Sequence, residues 1–580
     1  MSVAPVALDD PAARDPLVVG VKAAGLAAAA DAGLPVLPGS VLPLEASAAA
    51  IAGGVRVLER SGRPSATLAV MEAELPEGLA VALTGDRQSA SSAAGERWVA
   101  RSSTIHDDDG RWSGTFSSYL GIEAGDLPTA VRGCWASTFS GDALGRCDAA
   151  ALDVATQRVG VLVQPFRSFD TGGTARLRPD GGIDVAVAPG GPSGVVGGRR
   201  GGRDVRVEAD GTIADEQELG AVTATVRTAA DLARRAAASV GATVIEWGAV
   251  GGEVSLLQVG PRGRPAARSL APPRVTDAAS PIPAGAERLA RLVTAFPGPL
   301  ADALVLPWAL GADDVTHWDG AARPSRVADA ASAIGEARAL AADLAAQVWR
   351  VPPPEAGDRA ADVARLLLQG RVTDGLRAIA GLQEPDPTDA ARIVGLVQLV
   401  GELLAVAGVL PSPLLIWRLT GEELDRAIAG TPPALRIGPG RWEPFVAEVV
   451  RARGRGTMTA LVSPGVGAGR LHLLRDLRSI GRPGPRSVLA AALPLPHLAP
   501  LLWHSAALVT AGGTSGAHLF EVARSLGVPA VIGADLDVLG SAGSLVAVDG
   551  DSGVVSVLRD PATTGWAPAP IGGSARTAMV

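Results

Sequence analysis

The sequence predicts an α/β multidomain protein, with mixed α/β segments at both ends and a mainly helical stretch between them. Three observations carry this. The chain has 580 residues, more than one hydrophobic core organises, so about three domains are expected. Residues 508–533, LVTAGGTSGAHLFEVARSLGVPAVIG, read as a strand ending at Ala511, a glycine-rich loop, a helix from Ala517 to Leu526 and a second strand. From about Gly285 to Val450, Ala, Leu and Arg recur at helical spacing between proline clusters.

Composition removes several function classes. With 47% hydrophobic residues the chain is globular rather than disordered. A formal net charge of −8, with no basic cluster interleaved with aromatics, argues against a nucleic-acid binder. Cys134 and Cys147 have neither a disulfide-framework nor a metal-site spacing and fit a reducing compartment. The N-terminus MSVAPVALDD lacks a signal-peptide pattern. The apolar run Ile393 to Leu410 approaches membrane length, but Glu402, Pro411 and Pro413 favour a buried helix. A cytoplasmic protein with no membrane partner is expected. Among 52 basic residues there is one lysine, Lys22. Codon bias explains the general excess of arginine. It does not explain why one position keeps a compact ammonium, which a planar guanidinium does not replace.

In chain order, Val18 to Pro43 reads as a helix from Ala23 to Ala32, stopped at Gly33 and followed by an extended Pro-containing segment. Trp98 to Ala100 reads as a short strand delivering Arg101 to its end, where a guanidinium can clamp polyphosphate oxygens. The plainer reading of the following run, His106 to Asp109, is a solvated charged loop. Val159 to Phe166 is a buried strand carrying Gln164.

In Ala242 to Pro265 two apolar strands flank Gly251–Gly252, a hairpin signal. With the turn centred on Gly252, Glu246 and Gln258 face each other on one side of the ladder. A carboxylate and an amide oxygen there can hold a hard cation against phosphates, or can form a charged pair on a wet face. Pro265 to Pro283 reads as a linker. In the helical middle, Asp313, Asp314, His317 and Trp318 form a polar-aromatic cluster read as structural. The 508–533 helix is set by Leu519, Val522, Ala523 and Leu526 and stopped by Gly527 and Pro529, so His518 falls in its first turn. Free N–H groups and the positive end of the helix dipole there disfavour an imidazolium and welcome an anion. A neutral imidazole beside a phosphate site suits a nucleophilic histidine. The alternative is a histidine that merely caps a βαβ turn.

The stretch AHLFEVARSLGVPAVIG resembles the SHAAIVAREXGIPAVVG run of the phosphohistidine domain of phosphoenolpyruvate-utilising enzymes, with His518 on the phosphorylated histidine and Ala517 in place of the usual Ser or Thr. SPGVGAGRLHLL and AVDGDSGVVSVL are similar to that domain's opening and closing segments. Upstream, VGVKAAGLAAAADAGLPVLPG resembles the opening of the dikinase ATP-grasp domain, ARSSTIHDDDGRWSGTFSSYL its VRSSATAED segment, VGVLVQPF its MAVVVQXM strand, and IEWGAVGGEVSLLQVGPRGRP its IEWAXXXGXXXXLQXRP segment. The segment Trp112 to Gly114 replaces a loop that covers the phosphates, Gly260 stands where the family has an arginine, and Arg262 or Arg264 is a candidate substitute. IWRLTGEELDRAIAG resembles the segment preceding the histidine domain.

The resemblance implies an N-terminal ATP-grasp domain over 1–265, a helical linker or acceptor domain over 266–455 and a swivelling α/β phosphohistidine domain over 456–580. It implies ATP and Mg²⁺ as ligands. Lys22, Arg101 and Gln164 fall on nucleotide-contacting positions, Glu246 and Gln258 on metal-binding ones, Asp107 and Asp108 on an acidic pair, and His518 on the catalytic one. The implied reaction converts ATP to AMP and phosphate through phospho-His518 and passes the β-phosphoryl group to an acceptor. The layout, most similar to rifampin phosphotransferases, leaves no pyruvate-binding barrel after the histidine domain, so a non-pyruvate small-molecule hydroxyl is expected. Two rivals remain: a degenerate nucleotide-binding regulatory or scaffold protein, and an enzyme that autophosphorylates on His518 but hands the phosphate to a protein partner.

Overall fold

The computed structural model describes residues 4–559, apart from scattered short stretches, most of 369–381 and the segments 84–96, 261–295, 311–328, 434–459 and 475–486. The expected cluster Asp313, Asp314, His317 and Trp318, the linker, Asp108, Arg262 and Arg264 lie outside the described residues.

The first part of the chain builds two five-stranded antiparallel sheets. One holds β1 (Val6–Ala7), β2 (Ser40–Leu42), β3 (Trp98–Ser103), β4 (Ser118–Ile122) and β5 (Gly160–Pro165), in the order β1-β2-β5-β3-β4. The other holds β6 (Thr171–Leu177), β7 (Ile183–Pro189), β8 (Arg203–Val207), β9 (Val244–Val250) and β10 (Glu253–Val259), in the order β10-β9-β6-β7-β8. The helix Thr223–Val240 covers the second sheet because Val226, Ala229, Ala230, Ala233 and Ala236 recur on one face and are buried. Gly241, in the left-handed region, ends it.

Two sequence expectations shift here. The strand at Trp98 does not stop before Arg101. It runs to Ser103, since β5 continues to pair with it as far as Ser103 opposite Gly160. Arg101 therefore projects from inside a ladder. The hairpin turn is the two-residue pair Gly251–Gly252, both with positive φ, and not one centred on Gly252. Glu246 still stands opposite Gln258, because a β-bulge between Leu256 and Gln258 restores the register the turn alone would miss by one residue.

The middle is helical where described: Pro299–Leu304, Ala330–Trp349, Pro353–Leu368, Pro387–Val406 and Gly421–Ile428. Asp386 caps the long apolar helix by accepting the N–H groups of Thr388 and Asp389, with Pro387 at its first position. That helix buries Ile393, Val394, Val397 and Val400 in the domain core. Among the described residues, no helix is long and apolar enough to cross a membrane. A reciprocal capping box between Thr420 and Glu423 starts the last helix. The same apolar core runs on into Val466, Ala468 and Ala547 of the C-terminal sheet.

That sheet has seven strands: β11 (Ala460–Ser463), β12 (Val466–Leu474), β13 (Ser487–Ala491), β14 (Ser505–Thr510), β15 (Ala530–Ile532), β16 (Leu545–Asp549) and β17 (Val554–Arg559), in the order β11-β15-β14-β13-β12-β16-β17. β12 to β15 are parallel to one another and the edges are antiparallel. Central strands buried on both faces need continuous apolar runs, which SVLAA and the ALVT end of β14 supply. The helix His518–Leu526 crosses from β14 to β15, with Ala517 as its N-cap and Gly527 in the left-handed conformation at its end. His518 is thus its first residue.

Candidate active site

The two antiparallel sheets and the N-terminal end of the His518–Leu526 helix enclose a cavity of about 770 Å³. Lys22, Arg101, Gln164, Glu246, Gln258 and His518 all line it, although the last lies in a different domain from the other five.

Lys22 reaches the cavity because the helix Val21–Asp31 starts hard against the end of β3. Gly20, at φ +82, makes that approach possible, since a Cβ there would stand 2.4 Å from the Ser103 hydroxyl and 2.6 Å from its carbonyl carbon. Ser103 Oγ accepts the Ala23 N–H at 3.1 Å and Thr104 O accepts the Val21 N–H at 2.8 Å. The Lys22 ammonium donates to Ser102 O at 3.1 Å and lies 3.9 Å from Asp107. One carbonyl leaves spare donors on that ammonium, which faces the cavity.

Arg101 donates to Gln258 Oε1 at 2.9 Å, to Glu246 Oε2 at 3.3 Å and to Leu257 O. Both side-chain oxygens converge on the same guanidinium nitrogen. Two hard oxygen donors converging on one point of a cavity wall have the chemistry a divalent cation would take. Among the described residues no group of three or more His, Cys, Asp or Glu side chains forms a metal cage. Gln164 is buried and donates its amide to Leu37 O at 2.7 Å, which orients its carbonyl oxygen.

Position 260 admits no side chain in this packing: a Cβ would meet Val244 Cγ1 at 2.2 Å. Arg176 stands opposite that same Val244 on the other side of β9, and its guanidinium enters the cavity. Sequence reading passed over Arg176 because nothing local distinguishes it from an outward strand arginine.

His518 meets the two N-terminal sheets through the loop 110–114. Ser113 Oγ lies 2.6 Å from His518 Nδ1. Gly114, at φ +71, lets the backbone lie on the imidazole, since a Cβ there would be 2.9 Å from its Cδ2. Arg146 is fully buried beneath this loop. It donates to Arg111 O at 2.8 Å, Ser113 O at 3.0 Å, Pro496 O at 3.4 Å and both Asp142 oxygens at 3.0 and 2.8 Å. Asp204 accepts from the backbone N–H and hydroxyl of Ser515. Glu521, one turn beyond His518, pairs with Arg176 and lies 3.6 Å from Arg524. Burial pushes the Glu521 carboxyl up, but Arg176 and Arg524 together hold it below the usual range. Burial, reinforced by Arg176, brings Arg524 down to about 10. None of these cross-domain contacts has a local sequence signature.

Burial also lowers the His518 pKa, with Lys22 and Arg146 acting in the same direction against Glu246 and Glu521. The ring is therefore neutral at and somewhat below its ordinary value of 6.5. Any reaction needing the neutral ring keeps its rate below that value and falls only as pH passes through the depressed pKa. Docking follows the same sign: it favours the neutral ring, so it weakens as pH drops below the ordinary value. A titration of the His518 ring followed by NMR between about pH 5 and 8 should show its acid limb below 6.5. A limb at or above it contradicts this electrostatic account.

Comparison with known proteins is informative for the last domain. A family model described as the PEP-utilising enzyme mobile domain matches residues 483–553. A probable phosphoenolpyruvate synthase of Pyrococcus abyssi is 35% identical over 94 residues, which is 16% of this chain and 12% of that protein. The phosphoenolpyruvate synthase of Pyrococcus furiosus is 34% identical over 94 residues, again 16% and 12%. Chondramide synthase of Chondromyces crocatus is 37% identical over 95 residues, 16% of this chain and 2% of its own length. The match thus spans about an eighth of the synthases' own length. The matched region holds the βαβ unit that carries His518 into the cavity, and over residues 483–553 the chain matches the mobile domain of the PEP-utilising enzymes.

Proposed function

We propose that the chain is an ATP-dependent dikinase-type phosphotransferase with His518 as its phosphoryl carrier and an ATP-grasp nucleotide site between the two antiparallel sheets. One observation carries the reading: the histidine of the C-terminal domain shares a single cavity with Lys22, Arg101, Glu246 and Gln258 of the N-terminal part. In this reading His518 Nε2 attacks the β-phosphorus of ATP, the bond from that phosphorus to the α–β bridging oxygen breaks, and AMP leaves with the electron pair. Water then attacks the γ-phosphorus of the pyrophosphoryl-histidine, the β–γ bond breaks with its electron pair left on the β-phosphoryl group, and inorganic phosphate leaves. A hydroxyl acceptor finally attacks the β-phosphorus, the bond to Nε2 breaks, and the hydroxyl proton is released.

Lys22, Arg176 and Arg101 bind and orient the polyphosphate and stabilise its charge as the phosphoryl group transfers. Glu246 and Gln258 hold Mg²⁺, which supplies further neutralisation of phosphate charge. Arg101 then turns from these two oxygens to the phosphates. The 110–114 loop packs against one side of the histidine. An unidentified small molecule is the acceptor, and the helical middle domain is the candidate place to receive it.

The test is incubation of the pure protein with Mg²⁺ and ATP labelled at the β-phosphorus. Acid-labile, base-stable label on the protein, with AMP released, is expected. A second reading, a nucleotide-binding regulatory protein without transfer activity, is favoured by the closed position at Gly260 and by the engagement of Arg101 with Glu246 and Gln258. It predicts measurable ATP binding with neither label nor AMP. AMP release that needs an added protein would point instead to a protein acceptor.

A further inference from the structure

We propose that Ser113, a residue of the nucleotide-side loop, is the positioning residue that makes His518 nucleophilic, by accepting a hydrogen bond from its Nδ1–H across the domain interface. The inference rests on the carrier role proposed for His518.

A neutral imidazole has one N–H and one lone pair, and the partner of one nitrogen decides which the other keeps. The geometry around the ring is asymmetric. Nδ1 is engaged at 2.6 Å by Ser113 Oγ. Nε2 makes no hydrogen bond among the described residues, and the ring lines the cavity that Lys22 and Glu246 also line. If Ser113 accepts from Nδ1–H, the lone pair of Nε2 faces the cavity. If Ser113 donates, Nε2 carries the proton and cannot attack. Among the described residues no group of His518's own domain bonds the ring in place of Ser113, and the residue before the histidine is Ala517, which offers no side-chain oxygen.

Ser113 is held for this task. Arg146 fixes its carbonyl at 3.0 Å and that of Arg111 at 2.8 Å, while two positive-φ glycines bring the loop onto the helix. A Cβ at Gly110 would stand 2.7 Å from Ser525 Oγ and 2.9 Å from Glu521 Cγ, and one at Gly114 would strike the imidazole itself. A hydroxyl held in this way costs little further ordering when it bonds the ring. The consequence is a nucleophile set in the required tautomer only when the two domains are docked. A histidine away from the nucleotide domain lacks that oxygen, so docking and activation are one event.

The test has two readouts on the full chain. The first is the tautomer of His518, read from the ring ¹⁵N shifts of ¹⁵N-histidine-labelled protein; six histidines make the assignment tractable by single substitution. The wild type should show His518 as the Nδ1–H form, and Ser113→Ala should move population to Nε2–H. The second is single-turnover labelling from β-labelled ATP. Ser113→Ala should slow it by roughly 10- to 100-fold with ATP affinity unchanged, and Ser113→Thr should restore most of the rate. An Nε2–H form in the wild type overturns the proposal, as does an unchanged tautomer and rate in Ser113→Ala. If neither protein is labelled, the carrier reading fails by itself, and the ring shifts still decide whether Ser113 sets the tautomer.

Discussion

Replacing His518 by alanine should abolish label transfer from β-labelled ATP, a fall on the order of 10⁴-fold or more, while leaving nucleotide binding within a few-fold of the wild type. The size follows from covalent chemistry. A carrier nitrogen has no second imidazole to replace it among the residues lining the cavity: hydroxyls such as that of Ser113 are left without an imidazole to take their proton, and the carboxylates are poor, mutually repelling nucleophiles beside phosphate. Binding survives because the groups expected on the polyphosphate, Lys22, Arg101 and Arg176, come from the N-terminal part of the chain rather than from the histidine domain. The imidazole lines the cavity rather than filling a core, so its removal enlarges existing space and leaves the Ser113 hydroxyl open to it. Binding is read by calorimetry and transfer by acid-labile label and AMP. Label in the variant would move the carrier elsewhere and defeat the assignment of His518. AMP without label in the wild type would point to direct hydrolysis in place of a carrier.

The sequence carried much of this site, and the reasons differ residue by residue. His518 was legible because a βαβ unit has a strong local pattern: an apolar strand, a glycine loop, a helical apolar face and a Gly stop within 26 residues, counted from 508 to 533. Glu246 and Gln258 were legible because two glycines fix a hairpin and the ladder does the rest. Their opposition nevertheless depends on a bulge near Leu257 that no residue type announces. Lys22 stood out by composition, and its approach to β3 through Gly20 is a packing fact visible only in the fold. Arg101 was expected at a strand end because the apolar run WVA stops before it; the ladder partner, not the side chain, carries the strand on to Ser103. Ser113, Arg146, Arg176 and Glu521 were not legible. Their partners lie up to 405 residues away, and Asp142–Arg146 looks in sequence like any i, i+4 pair on a wet helix.

Arg146 is the opposite of a surface pair, and Arg146→Met should show it by destabilising the protein by about 3–5 kcal/mol. The guanidinium has five N–H donors, and five acceptor contacts meet it: two from Asp142 and one each from the carbonyls of Arg111, Ser113 and Pro496. Its side chain is 0% exposed. Methionine fills similar volume but leaves three carbonyls and a carboxylate without their donor. Burial already raises the Asp142 pKa, with Arg146 the main opposing influence, so loss of the arginine drives that carboxyl towards its protonated form. In calorimetry the transition containing the 110–149 segment should fall by roughly 10 °C.

The double variant Arg146→Met with Asp142→Leu should recover part of the loss, since the unpaired carboxyl is then gone and only the carbonyls remain unsatisfied. Function should fall with it for a separate reason: Arg146 ties the 110–114 loop on one side and Pro496 of the C-terminal domain on the other. With that tie cut, Ser113 is no longer held against the imidazole, so His518 labelling should slow even at temperatures where the variant is folded. A variant that melts like the wild type would mean that the buried guanidinium is not what holds the loop and the histidine domain together.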